Sequence, residues 1–152
     1  MHRTFFDDLG ALTVVEHGPG VLEVRVTGAL SLQVGAGFPQ VAREAASRFA
    51  RCSVFLDVRG LESFQGAVRE AWLEAVLEHR RRLDQVVVLS KGLLVTLSAR
   101  AAKVALAPLG VCFEVETDER RYQARRASAL QALASVPEAC GAPNASSAPF
   151  DN

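Results

Sequence analysis

The stretch Gly60-Leu61-Glu62-Ser63-Phe64-Gln65-Gly66 gathers a carboxylate, a hydroxyl, an aromatic ring and a carboxamide between two glycines, where an apolar run gives way to a helical pattern. A strand end that feeds a helix N-terminus leaves backbone N–H groups free to receive an anion, and open α/β sheets collect ligands at that edge. Nucleophilic chemistry would require a hydroxyl or thiol beside a histidine base held by an acid. Ser63 is the one hydroxyl in the stretch. The histidines are His2, in a terminus expected to fray, His17, in a turn, and His79, near a helix C-terminus, and no G-x-S-x-G elbow accompanies them. No catalytic residue is therefore expected. Gly35-Ala36-Gly37 lacks the third glycine and the preceding strand of a phosphate-cradling loop and reads as a flexible connection. Cys52, Cys112 and Cys140 form no C-x-x-C pair, so neither a zinc site nor a disulfide framework is expected, and no carboxylate cluster suggests a metal. No cofactor is implied.

Charge narrows the classes further. Lys plus Arg and Asp plus Glu both number 17, so no net field draws the chain to nucleic acid. The arginines Arg80 to Arg82, Arg120, Arg121, Arg125 and Arg126 are diluted by Glu70, Glu74, Glu78, Asp118 and Glu119 and read as solvated helix faces. With 49% hydrophobic and 22% charged residues among 152, the composition is that of one globular domain. No segment approaches the roughly 20 apolar residues of a membrane span, and the start of the chain lacks a signal-peptide core. A cytoplasmic protein is expected.

The elements that would position the 60–66 stretch follow from periodicity. Residues 12–16 and 21–26 are β-branched runs joined by His17-Gly18-Pro19-Gly20, a hairpin in which Glu23 and Arg25 should occupy the wet face. Phe38, Val41, Ala42, Ala45 and Phe49 recur at helical spacing over residues 37–51. The run Ser53 to Val58 has the apolar character of a central strand, breaking at Asp57. A helix over residues 67–82 should bury Val68, Ala71, Trp72, Ala75 and Val76 and end in a cationic turn. A strand over residues 84–90, a helix stopped by Pro108 and Gly110, a strand over 111–116 and a helix capped by Asp118 and running to Ala134 complete the series. The order β-β-α-β-α-β-α-β-α implies an α/β fold, a single mixed and mostly parallel sheet of about five strands flanked by about four helices. Residues 1–11 read as an N-terminal extension, 12–136 as the domain, and 137–152 as a flexible C-terminal tail.

Over residues 12–134 the chain resembles the STAS-domain superfamily, the fold of bacterial anti-sigma-factor antagonists, and most of all its STAS-like branch compared with the lipid-binding CRAL-TRIO domain. The carrying residues are FLDVRGLESFQGAVREAWLEAVLEHRRRLDQVVVLS, in which strand, loop, Trp-bearing helix, basic helix end and next strand follow the family's order. In antagonist members the loop reads D-S-S-G, and its serine is phosphorylated by a partner kinase. The corresponding residues here are Ser63-Phe64-Gln65-Gly66, of which only the glycine agrees. Gln65 occupies the phosphorylatable position, and Ser63, two positions early, is the possible phosphosite.

Together these readings predict a non-catalytic regulatory module that docks a protein partner, a regulatory kinase or another signalling protein, through Glu62, Ser63, Phe64, Gln65, Gly66 and Arg69. Phe64 would be its exposed apolar anchor and Arg69 a rim charge. The alternative, implied by the CRAL-TRIO comparison and by the Leu- and Val-rich third helix, is a carrier or sensor of a small apolar or lipid-like ligand. The oligomeric state expected is a monomer or weak homodimer.

Overall fold

The computed structural model describes residues 1–135 of the chain, and the expected tail at 137–152 lies outside them. The hairpin forms as its turn chemistry requires. Strand β2 (Gly10–Gly18) pairs antiparallel with β3 (Val21–Leu30), and Gly20 turns the corner at a φ of 74°. A strand precedes them where an extension was expected. Residues of β1 (His2–Phe6) pair with β2 from His2 opposite Val15 to Phe6 opposite Ala11, so His2 is part of the sheet and not of a frayed end. Its alternation is short, with His2, Thr4 and Phe6 outward and Arg3 and Phe5 half-buried, so the sequence carries too weak a period to mark a strand.

Beyond β3 every strand runs parallel to its neighbour. β3 pairs with β4 (Cys52–Phe64), β4 with β5 (Leu83–Leu89) and β5 with β6 (Phe113–Glu116), giving one six-stranded sheet in the order β1-β2-β3-β4-β5-β6. β4 is central, as its apolar run implies. It does not break at Asp57 but continues to Phe64 against Leu30, so most of the expected 60–66 loop is strand. Two register shifts in the β3–β4 ladder accommodate this extension.

Four helices cover one face: α1 (Leu32–Gly35), α2 (Gly37–Arg48), α3 (Gly66–Glu78) and α4 (Leu93–Leu106). Their apolar sides, including Val34, Phe38, Val41, Ala45, Val68 and Val76, meet Leu12, Val24, Val54, Leu56, Val86 and Val88 of the sheet in the larger core. The Gly35-Ala36-Gly37 segment is a tight junction between α1 and α2, not a flexible connection. A Cβ on Gly35 would stand 2.8 Å from Val68 Cγ1, and the Gly35 carbonyl accepts a 2.8 Å hydrogen bond from Trp72 Nε1. Helix α3 stops at Glu78, and Arg80 Nη1 donates to the Leu77 carbonyl, so the cationic turn caps the helix from just beyond its end.

Among the described residues the opposite face carries only α5 (Glu119–Ala134), with Asp118 as its N-cap accepting from Arg120 N at 2.8 Å. Tyr122 and Ala129 meet Val21, Phe55, Val87 and Leu89 in a second, smaller core, where the Phe55 and Tyr122 rings stand edge to face. This helix also overturns the expectation for Glu23. Arg25 is exposed, but Glu23 is 1% exposed, closed off beneath α5.

Candidate functional site

Between β4 and α3 a single residue, Gln65, makes the connection, and its hydrogen bonds explain why so short a turn holds. Gln65 N donates to the Leu30 carbonyl at 3.3 Å, its own carbonyl accepts from Val68 N at 2.9 Å, and its side-chain Oε1 accepts from Leu32 N at 3.0 Å. The carboxamide thus satisfies one of the free N–H groups that open α1, beside the Ser31 hydroxyl that accepts from Val34 N at 3.3 Å. Gln65 is a cross-brace between two helix starts. Gly66 opens α3 with ordinary backbone angles, and a Cβ there would meet nothing within 4 Å, so neither packing nor conformation demands glycine at this position.

The other predicted contact residues divide by exposure. Glu62, Ser63, Gln65, Gly66 and Arg69 are exposed and lie close in sequence along the end of β4 and the start of α3. Ser63 lies within the strand, opposite Ala29. Phe64 departs from its expected role. Its ring is half-buried, packs against the larger core and helps to wall a cavity, because strand alternation turns it toward the helix-covered face.

That cavity lies between α3, α4 and the sheet and encloses about 130 Å³. Leu56, Val58, Val86 and Val88 form its floor, Trp72, Leu73 and Val76 one wall, and Val95, Ala99 and Ala102 the other. Arg69 and Ser98 are the only polar side chains among its lining residues. The opening exists because α4 packs chiefly on β6 while α3 packs on α1 and α2, so the two helices scarcely meet. The 95, 99, 102 spacing on α4 was the sequence signal for this wall, since those positions share one helix face.

Charged side chains cluster on the other face of the sheet. Glu23 accepts from His17 Nε2 at 2.6 Å, Arg25 Nη2 at 3.2 Å and Arg126 Nη1 at 2.5 Å. Arg59 forms a fork, with Nε and Nη2 on Asp57 at 2.9 and 2.8 Å and Nη1 on Glu119 at 2.8 Å. Burial alone would push the Asp57 carboxyl up, but the Arg59 hydrogen bonds outweigh it and hold the group below its ordinary value. Asp57 is thus held as an anion bonded to arginine. The Tyr122 hydroxyl is buried without a hydrogen-bond partner among the described residues, and desolvation pushes its pKa up. Among the described residues no group of three or more His, Cys, Asp or Glu side chains comes together to hold a metal, and no helix is long and apolar enough to cross a membrane.

No protein-family model and no curated protein matches the sequence. Solved structures do match the fold. An uncharacterized protein of the DUF3478 family with a SpoIIAA-like fold, from Shewanella loihica PV-4, is 16% identical with a TM-score of 0.59, over 80% of this chain and 98% of that one. An anti-sigma factor antagonist from Mycobacterium paratuberculosis is 13% identical with a TM-score of 0.55, over 81% and 98%. The anti-sigma factor antagonist SpoIIAA in its unphosphorylated form is 10% identical with a TM-score of 0.52, over 75% and 96%. The chain has a SpoIIAA-like fold, with six strands where about five were expected.

Proposed function

We propose that this chain is a non-catalytic regulatory module that docks a protein partner through Glu62, Ser63, Gln65, Gly66 and Arg69, with Phe64 supporting that surface from beneath. The supporting observation is the Gln65 cross-brace. It fixes the end of β4 and the start of α3 relative to α1, so the backbone that carries these exposed side chains is set before any partner arrives, which lowers the ordering cost of association. Two solved structures of the same fold are named as anti-sigma factor antagonists, which agrees with a protein partner in a signalling pathway, a regulatory kinase among the candidates. Ser63 is the exposed hydroxyl on this surface and the residue a kinase would modify, whereas Gln65 has no hydroxyl to receive a phosphoryl group. The test is affinity capture from an extract of the producing cell with wild type, Arg69→Glu, Ser63→Lys and, as a remote control, Arg121→Glu. The reading expects a partner recovered by wild type and control and lost with the two surface variants. Equal recovery from all four would remove this surface, and a phosphate label mapped to any residue other than Ser63 would remove the phosphosite.

A second reading has its own supporting observation. The apolar cavity between α3 and α4 favours a carrier or sensor of a small apolar ligand. The volume of about 130 Å³ is close to that of an engineered apolar cavity, about 150 Å³, that stays dry and takes up benzene.

A further inference from the structure

We infer that the cavity between α3 and α4 takes an amphiphilic monocarboxylate, its hydrocarbon body lying over Leu56 and between Trp72 and Ala102 and its carboxylate meeting Arg69 and Ser98 at the rim. The inference rests on the carrier reading and gives its ligand a chemical class. A wall of valine, leucine, phenylalanine, tryptophan and alanine side chains offers no partner for a polar body. The rim is different. Arg69 is exposed, lines the opening, forms no ion pair with another described residue, and is the only arginine among the residues that line the cavity. A cation left unmatched at the mouth of an otherwise apolar pocket complements one anionic head on an apolar chain, and guanidinium matches the planar geometry of a carboxylate. No acidic residue occurs from position 85 to position 113, so α4 carries no carboxylate to oppose such a head.

The chain contains its own reporter, since Trp72 is its only tryptophan and forms part of the wall. Octanoate and octan-1-ol are titrated into the full-length protein while Trp72 emission is followed. Saturable one-to-one binding of octanoate is expected, with octan-1-ol weaker by about tenfold, the scale of one charge-assisted hydrogen bond at a partly exposed site. Arg69→Gln should bring octanoate down to the affinity of the alcohol and leave the alcohol unchanged. Ala102→Phe should abolish both, and Ala99→Leu should weaken both if the larger substitution disturbs folding by circular dichroism. Equal binding of acid and alcohol, or an Arg69→Gln variant that keeps its preference for the acid, would overturn the carboxylate assignment and leave the carrier reading standing. No response to either probe would overturn both.

Discussion

Glu23 offers the sharpest test of how α5 is held. Its carboxylate is 1% exposed and accepts from three cationic or potentially cationic side chains on β2, β3 and α5, of which Arg126 reaches it from 103 residues away in sequence. Replacing Glu23 with Leu removes the shared acceptor. It leaves the Arg126 side chain, itself only 18% exposed, without its counter-charge against the sheet. Breaking one side of a buried pair costs about 3–5 kcal/mol, and because Arg126 retains some water the low end, about 3 kcal/mol, applies. For a urea m-value of about 1.5 kcal/mol per molar that moves the unfolding midpoint down by about 2 M. The second arm is the double variant Glu23→Leu with Arg126→Leu. Removing both charges removes the uncompensated one, so the double variant should unfold at higher urea than Glu23→Leu alone. Urea unfolding of the four proteins, followed by far-UV circular dichroism, closes the cycle. A single variant that costs less than about 1 kcal/mol, or a double variant less stable than both singles, would refute the argument that the pair is buried and coupled.

Three further outcomes follow from local geometry. Trp72→Phe keeps an aromatic ring beside Phe38, now 4.8 Å from the indole, but removes the Nε1–H that donates to the Gly35 carbonyl, so urea unfolding should show a loss of about 1 kcal/mol. Burial pushes the Cys52 thiol up to about 11, so in a Cys112→Ser, Cys140→Ser background a thiol reagent at pH 8 should label it only on unfolding, whereas exposed Cys112 in the wild type should react at once. The same shift has a stability consequence. The unfolded thiol ionises near 9 and the folded one near 11, so this contribution is intact below pH 9 and is lost as the pH rises through that window. Asp7 shifts the other way. The Ser31 hydroxyl, 2.6 Å away, and the N–H groups of Leu9 and Gly10 hold its carboxyl below the ordinary 3.8. Its contribution is present above that value and lost as pH falls through the lower folded value, so Asp7→Asn should flatten the acid limb of a stability profile below about pH 4.

What the sequence disclosed tracks how local the determinant is. The hairpin at Gly18 to Gly20, the Asp118 cap and the end of α5 at Ala134 depend on residues a few positions apart, and each appears where turn and capping chemistry put it. Three features depended on partners distant in sequence. β1 has too few residues to declare a period and is defined by the strand it lies against. β4 outruns Asp57 because Leu30 of β3 is there to pair with Phe64, and that ladder converts the expected loop into strand. Glu23 alternates as a wet-face residue should, and only α5, arriving a hundred residues later, makes that face dry. That Ser63 and Arg69 are exposed was legible because they flank a strand-to-helix junction. The inward turn of Phe64 was not, since strand parity at its end depends on the two register shifts upstream.

The two proposed roles share structure, and that constrains both. Phe64 lies beside the proposed docking residues and in the cavity wall, and Arg69 belongs to the proposed surface and lines the cavity. An occupant that engages Arg69 would remove a charge the proposed partner would otherwise meet, and one that fills the space beside Phe64 would press on the same strand end that carries Glu62 and Ser63. Linkage then requires that whatever factor the ligand applies to partner affinity, the partner applies to ligand affinity. Such a coupling would have little distance to travel, because both proposed sites share Phe64 and Arg69, between the end of β4 and the first turn of α3. Under both proposals a bound carboxylate and a docked partner would compete for Arg69, so saturating octanoate should lower recovery of the partner by the wild-type protein.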